Sequence, residues 1–127
     1  MSTTRDIVDL LNSYDLGIKF VQDEFPDKPD VCAIVAPGGG QLGRHQGAVD
    51  SKSFIVRLRG AANRRDQPER LLDTLRRRIE EGGWPTFDDD TALLWCVQSG
   101  PTLSVPGTLA SSRRPEAIAT FSYEESR

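Results

Sequence analysis

Gly38, Gly40 and Gly43 stand at G-x-G-x-x-G spacing directly after an apolar run, the pattern that can bring backbone amides against a pyrophosphate. Such a site also needs a helix to begin there, so that its first amides meet the phosphates. In this chain His45, Gln46 and Gly47 follow, and Asp50 and Ser51 lead toward a strand. The glycines therefore read as a loop. His45 is the only histidine, so any Ser-His-Asp or Cys-His arrangement would have to use it. A general base must be oriented, and nothing around His45 in sequence does that. Asp88, Asp89 and Asp90 could face a hard cation, but calcium loops alternate ligands with spacers and add a glycine and a distal glutamate. Two cysteines and one histidine fall short of the four ligands of structural zinc. The expectation is a protein without cofactor or metal, and not an enzyme.

The elements that would have to position such residues are those of one domain. At 127 residues the chain can bury a real core, and 28% charged with 37% hydrophobic residues is ordinary for a globular fold. A net charge of −3 argues against broad attraction to nucleic acid. The charge is uneven, with nine basic and five acidic side chains in residues 51–81 against seven and fourteen elsewhere. Cys32 and Cys96 sit in apolar runs and read as small core hydrophobes. The first nine residues carry Arg5, Asp6 and Asp9 and show no signal peptide, and no run is long enough to span a membrane. A soluble protein made in a reducing cytoplasm is expected.

Two helices stand out. Ile7, Leu10, Leu11 and Tyr14 make a single buried stripe, with Thr3 and Asp6 as a start signal and Gly17 as a stop. In the second, Asp66 and Glu69 offer a cap, Pro68 fits the first turn, Leu72, Leu75 and Ile79 line one face with Leu71 beside them, and Gly82 and Gly83 end it. Arg76, Arg77 and Arg78 point about 100° apart around that helix and make no flat basic surface.

Strands are expected at 18–22, 31–36, 54–59, 93–98 and 117–123. Phe54, Val56 and Leu58 share one face, with Ile55, Arg57 and Arg59 on the other. Strict alternation puts Leu93, Trp95 and Val97 opposite Leu94 and Cys96. The fold class is α+β, in the order α-β-β-β-α-β-β. It consists of one mostly antiparallel sheet of about five strands, with two helices packed on one face. Two long loops remain, 37–51 and 100–115, carrying Leu42, Leu103, Val105 and Leu109. Loops of this length are commonly functional, and a few exposed apolar side chains suit the grip on a neighbouring subunit.

The succession FPDKPDVCAIVAPGGG, FIVRLRG, LLDTLRRRIEE and QSGPTLSV, with a last strand after Arg113-Arg114-Pro115, resembles the tail-terminator and minor capsid proteins of long-tailed bacteriophages. The resemblance covers nearly the whole chain in element order, anchored at Pro26, Pro29, Asp30, Gly38, Gly39, Arg59, Gly60, Gly100 and Pro101. Where such proteins often carry an Asp-x-x-Gly-Arg-Pro-like turn, this chain has Ala110-Ser111-Ser112-Arg113-Arg114-Pro115. The resemblance implies a virion protein that forms a ring with itself, typically of six subunits, at the head-proximal end of the tail tube. It would stop tube polymerisation, meet the tail tube protein and the head connector, and let DNA only pass through its lumen. Another neck or completion protein, or a small non-viral interaction domain, is the alternative. The residues expected at interfaces are Leu42, Arg44, Arg57, Arg59, Leu103, Val105, Leu109, Arg113 and Arg114, with Arg57 and Arg59 pairing with acids of a neighbour.

Overall fold

The structure, a computed structural model, describes residues 2–40, 49–87 and 90–126. Chain order runs α1 (Thr4–Ser13), β1 (Lys19–Val21), β2 (Cys32–Pro37), β3 (Val49–Arg59), α2 (Gln67–Glu80), β4 (Leu93–Gln98), β5 (Leu103–Val105) and β6 (Glu116–Ser126).

α1 starts as its sequence signals. The Thr3 hydroxyl accepts from the Asp6 amide at 3.3 Å, and the Asp6 carboxylate accepts from the Thr3 amide at 2.8 Å. This reciprocal box satisfies two amides that have no partner within the helix. Ile7, Val8, Leu10 and Leu11 are buried, and Asp15 and Gly17 take left-handed backbone just past the end. α2 buries Leu72, Leu75 and Ile79 and ends at Gly82 and Gly83, both at φ +73°. Its expected cap does not form. Asp66 has helical backbone (φ −85°, ψ −14°), whereas a capping side chain needs an extended residue to reach back to the amides. Its carboxylate instead faces Arg70 at 3.9 Å.

The sheet has six strands, not five, in the order β1-β2-β3-β6-β4, with β5 also on β6. It is mixed: β1 and β2 are parallel, and every other pairing is antiparallel. Residues 22–31 make the parallel crossover, a departure from the antiparallel pairing that short sequential connections favour. β3 begins five residues before the expected strand, inside the expected 37–51 loop, and runs beside β6 along eleven residue pairs. The expected 100–115 loop contains β5, so the apolar Leu103 and Val105 are strand residues.

Both helices pack on one face. Ala33, Val35, Phe54, Val56, Leu58, Ala117, Ala119 and Phe121 lie on that face and form a single core with the helix leucines and isoleucines. Phe54 and Phe121 stack at 5.3 Å between centroids. At one end of this face the apolar pattern gives way to a polar network. Lys52 Nζ donates to Glu125 at 3.1 Å and to the Ser2 carbonyl at 2.7 Å, and the Ser2 amide donates to Glu125. Glu125 is fully buried, so these contacts stand in for its lost hydration. No helix among the described residues is long and apolar enough to cross a membrane.

Candidate functional site

On the opposite face of the sheet no helix packs among the described residues. Strand register aligns its rows: Ile34, Arg57, Ile118 and Leu103 across four strands, then Ala36, Ile55 and Thr120, then Ser53, Ser122 and Val97. Over the β2–β3 part lies the 22–31 crossover, held down from below. Arg59, only 6% exposed, donates to the carbonyls of Pro26 (2.6 Å), Asp30 (2.9 Å) and Pro29 (3.0 Å), and its guanidinium lies 4.8 Å from the Phe25 ring centroid. Arg114 clamps the same segment through Asp30 at 3.1 Å and Asp27 at 3.5 Å. Arg57 forks onto Glu116 through Nε and Nη2, and that carboxylate holds the guanidinium pKa above its ordinary value.

These partners change the expectation for the two strand arginines. Both find them inside the chain, Arg59 on the crossover carbonyls and Arg57 on the adjacent strand. Arg59 is a positioning residue for the crossover. Arg57 remains half exposed and still borders the open face.

The β6-distal edge is formed by β4 and β5, which run in the same direction along β6 as one interrupted strand. Ser99 still bonds to Thr120 O at 2.9 Å, after which Gly100 to Thr102 leave the ladder and β5 resumes two residues out of register. The Gln98 side chain closes this excursion onto Gly100 O at 2.7 Å and Thr102 Oγ1 at 3.0 Å. A second irregularity, between Leu93 and Trp95, overturns the expected alternation. The extra residue of a bulge lets Leu93 and Cys96 both point into the core, while Leu94, Trp95 and Val97 stay exposed. Burial pushes the Cys96 thiol up to about 12, which leaves it protonated and inert at neutral pH.

Trp95, Val97, Leu103 and Val105 thus line the open face at a free edge, with Leu103 60% exposed and Trp95 39%. Leu109, at 80%, sits on the following turn. Ser104 points the other way and bonds Glu69 of α2, which fixes the direction of its neighbours. Of the expected interface residues, the structure brings Leu103, Val105 and Arg57 to this face. Leu109, Arg113 and Arg114 belong to the turn before β6, while Leu42 and Arg44 lie outside the described residues. Sequence reasoning missed Leu94, Trp95 and Val97 as surface residues. One signal was available: from Thr91 to Ser112 the chain has no charged residue at all. Solitary edge strands are commonly protected by charges, and this edge has none.

The other chemistry candidates find structural explanations or fall outside the described residues. A Cβ on Gly38 would collide with the Ser53 side chain, and one on Gly40 with the Ser51 and Lys52 backbone. Those glycines allow close approach to β3. The next described residue, Val49, opens a strand. A cavity of about 320 Å³ beside them is lined by Ser2, Lys52 and Tyr123, among others. Lys52 is held there by Glu125 and the Tyr123 hydroxyl by Ser2 Oγ at 3.0 Å. Burial pushes Tyr123 up to about 12, so it is no base at neutral pH. Gly43, His45, Asp88 and Asp89 are not among the described residues. Among those that are, no three His, Cys, Asp or Glu gather to hold a metal. Compared with known families and with curated proteins, the chain matches no family model and no curated sequence.

Proposed function

We propose that this chain is a structural subunit that works by associating with copies of itself. In that reading it forms a ring at the head-proximal end of a phage tail tube, ends tube growth and joins the tail to the head connector. One observation carries it: the uncharged edge β4–β5, whose Trp95, Val97, Leu103 and Val105 lie exposed beside a helix-free sheet face. A monomer rarely leaves such a strip open to water. A second copy of the chain is its occupant, because an open sheet also offers a second edge, β1, to the next subunit. Head-to-tail contacts of this kind close into a ring when the rotation per subunit divides a full turn.

The resemblance in element order to tail terminators supplies the biological setting, and the face supplies the physical means. The test is Trp95→Lys with Val97→Lys. Both side chains point away from the core, so the variant should keep its fold by circular dichroism while losing self-association in light scattering. A variant that assembles like the wild type would remove this edge from the account.

A further inference from the structure

The basic excess of residues 51–81 separates, in the structure, into charges already paired and charges left open. On α2, Arg76 meets Asp73 at 2.8 Å and Glu80 at 3.1 Å, Arg77 meets Asp73 at 3.1 Å, Arg78 meets Glu81 at 3.8 Å, and Arg70 meets Asp66 at 3.9 Å. Arg64 and Arg65, just before the helix, are exposed and make no ion pair among the described residues. The fold brings a third such arginine to them from fifty residues away. The Asn63 amide donates to Arg113 O and the Gly60 amide to Pro115 O, each at 2.9 Å, which ties the 60–66 turn to the turn before β6. Arg113 is exposed and likewise makes no ion pair among the described residues.

The two turns are held in unfavourable backbone. Asn63, Ser112 and Arg113 have φ of 63°, 54° and 60°. A Cβ at Gly107 would collide with the Arg113 backbone, so the turn also demands glycine there. Left-handed non-glycine residues cost energy and concentrate where geometry serves function. Here three of them stand beside guanidiniums that make no ion pair among the described residues. A groove of about 390 Å³, lined by Arg64, Arg65, Asp66, Gln67, Arg70 and Leu71, opens next to them, its one carboxylate facing Arg70.

We propose that this end of the sheet is a docking surface for a carboxylate-rich segment of a partner protein, gripped by Arg64, Arg65 and Arg113. Arginine presents a planar fork that matches a carboxylate with two hydrogen bonds. Nucleic acid is the poorer fit. Three open arginines can neutralise only about three phosphates, which supplies little of the counterion release that drives nucleic-acid binding. Arg65 shares a pocket with Val105 of β5, so the surface borders that end of the edge, but the proposal does not depend on ring closure.

Fluorescence anisotropy of the full chain with a fluorescein-labelled hexaglutamate peptide tests it, with a labelled DNA duplex as the second arm. The peptide binds at low salt, more weakly at high salt, and the charge-reversed Arg64→Glu/Arg65→Glu/Arg113→Glu variant loses affinity by about tenfold or more. Arg76→Ala, which lies outside the groove and is paired to Asp73 and Glu80, changes it less than about twofold. If charge reversal unfolds the chain, Arg64→Gln/Arg65→Gln makes the same comparison. The Trp95→Lys/Val97→Lys variant keeps peptide binding, which separates this surface from self-association. Absence of peptide binding, equal binding by the arginine variants, or tighter binding of the duplex overturns the proposal.

Discussion

Arg59 shows how one side chain can hold a loop that has no secondary structure of its own. Its guanidinium offers five donors in a fixed plane, and the crossover offers carbonyls of Pro26, Pro29 and Asp30 that no strand or helix can satisfy. Phe25 closes the other side of the plane. A buried cation without these oxygens would be costly. Arg59→Ala should therefore lower stability by about 3 kcal/mol in urea denaturation. Arg59→Lys should recover only part of this, because one ammonium cannot span three carbonyls in a plane. A loss within about 0.5 kcal/mol for alanine would mean that the crossover is held by other contacts. Arg57 differs in degree: its fork onto Glu116 is half exposed, so solvent screens the pair and its worth is small.

At the scale of elements, α1 depends on its first turn. The Thr3–Asp6 box is local, and Thr3→Ala should cost about 1 kcal/mol by thermal or chemical unfolding. An unchanged midpoint would show that packing of Ile7 and Leu11 alone sets the helix start. Such local signals are why both helices were readable in sequence: Leu72, Leu75 and Ile79 repeat at helical spacing, and Gly82 and Gly83 stop the pattern. The strands were readable where apolar residues alternate, as in Phe54, Val56 and Leu58. They were not readable where tertiary contacts replace that pattern. The first residues of β3 read as loop because Asp50 and Lys52 are polar, yet both lie on the core side, Lys52 bonded to Glu125. β4 misled for a different reason. A bulge is a one-residue change in pairing, and nothing in the string Leu93-Leu94-Trp95-Cys96 announces it. The exposed edge was thus hidden by the assumption of strict alternation, although the absence of charge from Thr91 to Ser112 marked the region.

For the molecule as a whole, the arrangement is one-sided. Two helices cover one sheet face, a pinned crossover covers a corner of the other, and the rest of that face ends at an uncharged edge. The arginine-bearing turns stand at the end where β3 stops and β6 begins, where Arg65 and Val105 line one pocket, while Trp95 and Val97 lie farther along β6. Such a division suits a subunit that meets its own kind through one surface and a different protein through another. It makes the central claim a matter of mass. Light scattering of the purified chain, alone and with isolated tail tubes, followed by negative-stain imaging of the tube ends, measures it directly. A closed assembly near six times the chain's mass is expected, formed alone or on tubes, with rings at one end of capped tubes. A chain that stays monomeric at high concentration and leaves tube ends bare and growing would contradict it.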